Sequence, residues 1–186
     1  MGCAGPRPPP PSSALTPRRG HNGGVKRWLV AGAVIEGPEG VLLVANRRRN
    51  GSVDWSTPGG VIDEGEGVLE GLEREVAEET GLIVSKWDGL LYGIEVEAPD
   101  LGWHLRAEVH RAAVVEGSLA LDDPDGIVFD ASYVALGECD ARLARAHPWV
   151  REPLSAWLGQ RWLVSRSFRY HVAGSDLSNL TVSTVP

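Results

Sequence analysis

Cysteine is scarce. The chain has only Cys3 and Cys139, which excludes a disulfide framework and a four-cysteine zinc site. Long apolar runs are lacking too: none reaches the roughly 20 residues that a helix needs to cross a bilayer. No apolar signal-peptide core follows Met1, so a cytoplasmic protein without membrane attachment is expected. No internal repeat is present. Acidic residues are missing from residues 1–27, where Arg7, Arg18, Arg19, Lys26 and Arg27 give +5. With −7 overall, the remainder of the chain carries −12. So acidic a body argues against binding duplex nucleic acid. A phosphorylated small molecule would need cations to mediate its contact.

What is there fits one globular domain. Over 186 residues, 42% are apolar and 23% charged, enough for a core of its own. The Pro-, Ser- and Gly-rich stretch Gly5–Gly24 cannot bury enough apolar surface to offset its ordering entropy, so residues 1–25 read as a disordered tail. The folded body begins near Trp28. Trp28–Glu36 and Val41–Arg47 are β-branched apolar runs around the turn GPEG and predict a hairpin. Val53–Gly60 reads as a loop. Gly89–Glu97, Trp103–Val115 and Ala131–Leu136 predict further strands. The segment from Cys139 to Trp162 predicts helix, interrupted near Pro148 and Pro153. Two late runs, Phe168–Gly174 and Asn179–Val185, predict a last hairpin. Strands on both sides of a central helix, with another helix late in the chain, predict an α/β fold with a mixed sheet packed between helices.

The central helix is the unusual part. Between Gly60 and Leu82 lie eight carboxylates, Asp63, Glu64, Glu66, Glu70, Glu73, Glu75, Glu78 and Glu79, with Arg74 as their only local counter-charge. Val68–Thr80 has helical composition with Gly71 as its weak spot, and Gly81 suits a left-handed end. At helical spacing Val68, Leu69, Leu72 and Val76 form the side that packs on the sheet, while Glu70 and Glu73 point to solvent. Glu75, Glu78 and Glu79 stand at i, i+3 and i+4, on one face. Three like charges so close repel one another, more strongly near apolar surface. A hard divalent cation would relieve them, since carboxylate oxygens are its preferred ligands. A plain solvated acidic face is the alternative. Just upstream, Thr57–Gly60 (TPGG) allows close backbone approach.

These residues together match a known pattern, G-x5-E-x7-R-E-U-x-E-E-x-G-U with U aliphatic. Gly60, Glu66, Arg74, Glu75, Val76, Glu78, Glu79, Gly81 and Leu82 fill its nine specified positions over 23 residues. The segment therefore resembles the Nudix box, and the lead-in from Trp55 to Gly60 resembles the same family. The resemblance covers about 26–162 and leaves 163–186 as a C-terminal extension. It implies an α/β/α sandwich with a mixed sheet. It implies hydrolysis of a nucleoside diphosphate linked to another moiety, with Mg²⁺ or Mn²⁺. It further implies Glu75, Glu78 and Glu79 as metal ligands, with the Gly59 carbonyl beside them. Glu78 and Glu79 are the helix candidates for the catalytic base, and Arg74 orients the carboxylates. Glu66 supports the site through water or the loop backbone. Arg47, Arg48 and Arg49 follow the second strand, where guanidinium forks suit phosphate. Arg47, Arg49, Trp55 and Glu66 are the candidates for substrate contact. Trp103 is a second aromatic that could stack a base, and the loop Leu121–Gly126 could supply a further acid. His104 and His110 read as structural, and His147 as loop. A nucleoside triphosphate and an ADP-ribose-like compound stay equally open, as does a catalytically silent domain that senses a nucleotide. Many members dimerise, so a homodimer is admitted, although no face in the sequence announces one.

Overall fold

The computed structural model describes residues 25–48, 50–124, 126–176 and 179–186. Apart from Val25, the tail expected over residues 1–25 lies outside them. Two sheets organise the rest. The larger has the order β1 (Lys26–Val34), β6 (Trp103–Glu116), β5 (Ile83–Ala98), β8 (Arg166–Ala173), β9 (Thr181–Val185). It is mixed: β1 runs parallel to β6 and β5 parallel to β8, while β5–β6 and β8–β9 are antiparallel. In the smaller sheet β3 (Gly40–Arg47) lies between β4 (Val53–Ser56) and β7 (Val128–Val134), with the two-residue β2 (Glu36–Gly37) against its start.

Strand alternation divides the core. Ala31, Ala33, Ile35 and Leu42 pack with Leu72 and Val76 of α1 (Val68–Thr80). Val34, Val41, Leu43, Ile94, Val96 and Leu105 pack with Trp149, Leu154 and Trp157 of α3 (Pro148–Gln160) on the other side. Helices therefore cover both faces, the expected α/β/α arrangement. No helix of the described residues is long and apolar enough to cross a membrane.

Several expectations need correction. The hairpin between the first two strands survives only at its turn, where Leu42 N–H donates to the Ile35 carbonyl at 2.9 Å. β1 instead pairs along nine residues with β6, from Lys26↔Trp103 to Val34↔Arg111. Its end is buried on both faces, as a parallel strand requires. The stretch read as loop contains β4, because Val53–Ser56 pairs with β3 before the Thr-Pro-Gly-Gly run breaks the ladder. Pro148 does open a helix, at its first turn, after the short α2 (Cys139–Arg142). Pro153 does not interrupt α3. It removes one N–H in the second turn, and its ring is buried against the core. Leu69, expected on the packed side of α1, is 37% exposed. The buried face is Gly71, Leu72, Glu75, Val76, Glu79 and Thr80, so two carboxylates occupy the stripe where apolar residues were sought.

Leu72 is fully buried under the sheet. Leu72→Ala should lower the unfolding free energy by about 2–5 kcal/mol through lost transfer energy and a residual cavity. Urea unfolding checks this: the midpoint should fall with an unchanged slope.

Candidate active site

The site grows from the free edge of β1. Residues after β4 lie along that edge: the Pro58 carbonyl accepts from Ala33 N–H at 2.8 Å, the Gly60 carbonyl from Ala31 N–H at 2.9 Å, and Ile62 N–H donates to the Leu29 carbonyl. Gly59 sits between these contacts at φ 139°. A side chain there would strike the Ala31 carbonyl and Gly32 Cα. One at Gly60 would run into the Glu75 carboxylate. The glycines thus let helix and sheet edge close on one another.

On the helix side, Gly59 N–H donates to Glu79 Oε2 at 2.8 Å. Glu75 and Glu79 are both buried, at 8% and 9% exposure. Burial pushes the Glu79 carboxyl well above its ordinary value of 4.5. The Gly59 amide opposes that shift, while the charges of Glu75, Asp123 and Glu78 add to it. Arg74 is the hub. Its Nε and Nη2 donate to the two oxygens of Glu66 at 3.1 and 3.0 Å, and its Nη1 to Glu75 at 2.8 Å and Glu78 at 3.3 Å. The hydrogen bonds from Arg74 hold Glu66 below the usual carboxylate range despite partial burial, with the Asp63 amide assisting. Arg74 is in turn held more firmly protonated, first by Glu66 and then by Glu75. Gly71 leaves the space that Glu66 enters, since a side chain there would meet the Glu66 carboxylate at 2.6 Å.

Glu75, Glu78 and Glu79 line one wall of a cavity of about 190 Å³. Gly59, Gly60, Thr57, Trp55 and Asp123 share it, and Trp28, Tyr92, Ile94, Leu105 and Trp149 form apolar walls. Asp123, in the loop singled out from sequence, is fixed by Ile127 and Val128 N–H groups at 2.6 and 2.7 Å. Trp55 faces the cavity with the Arg142 guanidinium 4.8 Å over its ring. Trp103 is buried beside Trp28 and Trp149 and does not line the cavity. Arg47 is also elsewhere: its guanidinium lies 4.8 Å over Phe129. Arg49 falls outside the described residues. Among the described residues Arg48 is the arginine that lines the cavity, paired with Asp54.

The structure adds residues that sequence reasoning missed. His147, read as loop, lines the cavity with its ring stacked on Trp149 at 4.3 Å and 8°. Surrounding protein lowers its pKa, and the nearby Arg48 charge lowers it further. Asp54 is a buried acid inside a stretch that looked like turn. No motif marks either one: their partners, Arg48 and Trp149, are near in sequence, but only the fold turns them to the cavity. His104 bonds to Glu95 at 2.9 Å. With Glu97 they form the one group of three among the described residues whose ligand atoms all lie within 4.8 Å of one another. None of the three lines the cavity. The helix glutamates are spread instead, because the Gly59 amide holds Glu79 and Arg74 draws Glu75 and Glu78.

The model of the NUDIX domain matches residues 26–158. The chain belongs to the NUDIX family. It is a Nudix hydrolase, and the acidic helix is its Nudix box. None of the curated proteins compared with the chain matches it. Among solved structures, the MutT NUDIX hydrolase from Burkholderia pseudomallei is 27% identical, with a TM-score of 0.53, over 60% of this chain and 85% of that one. The mutator MutT protein from Bacillus halodurans is 21% identical with a TM-score of 0.59, over 83% and 97%. An ADP compounds hydrolase is 19% identical with a TM-score of 0.56, over 73% and 72%. The last two likenesses speak for the Nudix fold alone.

The Glu79 shift has a consequence for stability. A carboxyl whose folded-state pKa lies above its unfolded value binds its proton more tightly when folded. Ionising it therefore costs the native state progressively more as pH rises past about 4.5. Glu79→Gln keeps an acceptor for Gly59 N–H and removes that cost. In chelator, the unfolding midpoint of the variant should gain on wild type as pH is raised from 4 to 7 (roughly the span over which an unfolded Glu ionises). A difference that stays flat over this range would show that Glu79 ionises normally in the fold.

Proposed function

We propose that this Nudix hydrolase cleaves the pyrophosphate bond of a nucleoside diphosphate linked to another moiety, a nucleoside triphosphate or an ADP-ribose-like compound, with Mg²⁺ or Mn²⁺. The observation that carries this reading is the pair of buried carboxylates, Glu75 and Glu79, set against Gly59–Gly60 in the wall of an aromatic-lined cavity. The donor set suits the ion. Glu75, Glu78 and Glu79 offer hard oxygens, and the Gly59 carbonyl adds another. Two of these acids are buried, and Arg74 pairs with Glu75 but not with Glu79, so an ionised site has an excess of negative charge that a divalent cation would balance. When bound, that cation neutralises the anhydride oxygens and acidifies a bound water.

The chain's own residues do the rest. Arg74 holds Glu75 and Glu78 on one nitrogen and fixes Glu66 across the loop, so the helix presents its acids in one orientation. Glu78 or Glu79 takes the proton from the attacking water. Glu66 steadies the loop Ile62–Gly67 next to substrate, and Trp55 offers the substrate a flat face. Arg47, turned onto Phe129, has no part in this reading. Residues 26–162 form the catalytic domain, and β8–β9 of 163–186 extend its sheet. A cytoplasmic setting belongs to the same reading and is supported by the free, buried thiol of Cys139. The likeness to the MutT NUDIX hydrolase from Burkholderia pseudomallei supports a hydrolytic reaction of this class.

A phosphate-release panel tests the proposal: nucleoside triphosphates, oxidised dGTP, ADP-ribose, NADH and dinucleoside polyphosphates, each with Mg²⁺ and with chelator. Turnover should require the metal and fall by roughly 10²–10⁴-fold in Glu79→Gln. Unchanged turnover in that variant would remove Glu79 from the machinery. No turnover on any compound, with nucleotide binding retained, would make the chain a nucleotide sensor.

A further inference from the structure

Three consecutive arginines begin at the last residue of β3, and among the described ones the middle, Arg48, lines the cavity. Arg48 is fixed from two sides. Its backbone closes a tight turn, with Arg48 N–H donating to the Ser52 carbonyl at 2.8 Å and Gly51 N–H donating back to the Arg48 carbonyl. Its guanidinium forms a two-point pair with Asp54, Nε to Oδ2 at 2.6 Å and Nη2 to Oδ1 at 2.7 Å. Both side chains are largely covered, at 17% and 11% exposure. Asp54 holds this place because β4 pairs antiparallel with β3, setting it opposite Asn46 two residues before Arg48.

The charge of this unit matters more than its arginine. Guanidinium and carboxylate at 2.6 Å sum to zero, so the pair exerts little pull on an anion from a distance. A phosphate drawn to Arg48 would find Nε and Nη2 already bonded to Asp54. What the pair offers is a rigid hydrogen-bonding edge of fixed orientation. It stands beside the flat face of Trp55 and the stacked His147–Trp149 pair, above apolar walls.

We propose that the Arg48–Asp54 pair reads the uncharged edge of the substrate's base and makes no phosphate contact, with Asp54 as the positioning residue that sets the guanidinium plane. This rests on the hydrolase reading above and names what the other end of that cavity recognises: a planar ring with hydrogen-bond acceptors on its edge. Phosphates belong to the carboxylate end.

Calorimetric titrations of the full chain in the turnover-blocked Glu79→Gln background test it, so the outcome does not depend on catalysis. The probes are ATP, GTP, CTP, UTP and inorganic pyrophosphate, each with Mg²⁺. Wild-type pairing should bind at least one nucleotide more tightly than pyrophosphate. Arg48→Ala and Asp54→Asn should weaken that nucleotide about tenfold or more, as the loss of a charge-assisted hydrogen bond does, and leave pyrophosphate within about twofold. Arg48→Lys separates the two readings. It keeps the charge and loses the fork, so a base contact stays weakened whereas a phosphate contact is restored. Equal weakening of pyrophosphate, rescue by Arg48→Lys, no change in any nucleotide, or no nucleotide tighter than pyrophosphate would each overturn the proposal. Unfolding midpoints of each variant, and Arg48→Lys if Asp54→Asn does not fold, keep a loss of binding distinct from a loss of structure.

Discussion

Everything at this site depends on a close approach between a helix and a sheet edge, secured by one hydrogen bond from Gly59 N–H to Glu79. Two glycines permit it. Gly59 adopts a backbone conformation that a side chain would resist, against the Ala31 carbonyl, and Gly60 yields its Cβ space to Glu75. With any larger residue at either position, α1 would stand off from β1. Its carboxylates would then reach solvent and lose the burial that sets their chemistry. The same approach brings Leu72 and Val76 onto Ala31, Ala33 and Ile35, so the contact that makes the site also closes one half of the core.

Burying acids costs stability, and the structure shows how the cost is contained. Arg74 serves three carboxylates at once, with the two-point contact reserved for Glu66. Glu66 is on the loop before the helix and not on the carboxylate-bearing face itself. Arg74 therefore ties the loop down with its best geometry and steadies Glu75 and Glu78 with its remaining donors. Glu79 lies outside that network. Its amide partner offsets only part of the desolvation, and the surrounding acids worsen it. On the proposed reading, a buried carboxyl that resists ionisation at this point would be stabilised in its charged form by a cation, at the expense of the stability of the metal-free fold.

How much of this was legible from sequence follows from the range of the interactions. The acidic helix, its left-handed end at Gly81 and the glycine approach were readable because their spacing is local. The strands β3, β5 and β6 were readable as β-branched runs. The pairing was not. β1 looked like half of a hairpin, yet its partner β6 begins at Trp103, 69 residues after β1 ends at Val34, and short-range turn signals carry no information on such a contact. The helix periodicity also misled in one respect. It was sought in apolar residues alone, which put Leu69 inside. In the fold Glu75 and Glu79 complete the buried stripe and Leu69 lies at its edge. A stripe that continues through acidic residues is the sequence mark of a buried charged site, and it becomes readable only once the acids are allowed on the packed face.

The arginine run shows the complementary limit. Composition suggested guanidinium forks for phosphate at Arg47, Arg48 and Arg49 and put Arg47 and Arg49 forward for substrate contact, but strand alternation alone cannot rank residues at a strand's end. The ranking comes from two tertiary facts: Phe129 of β7 takes Arg47 away from the cavity, and Asp54 of β4 holds Arg48 at it. The second fact also changes the chemistry. A lone arginine in a cavity is an anion trap, but one locked to a buried carboxylate is a neutral template. With negative charge concentrated along α1 and a neutral polar edge near Trp55, the cavity divides its ligand by charge. On the proposed reading, an anhydride would sit where a cation can join the glutamates, and the flat, uncharged part of the molecule among the aromatic walls. A nucleotide would then satisfy both ends at once in one orientation, with its phosphates, and not its base, beside the carboxylates of α1.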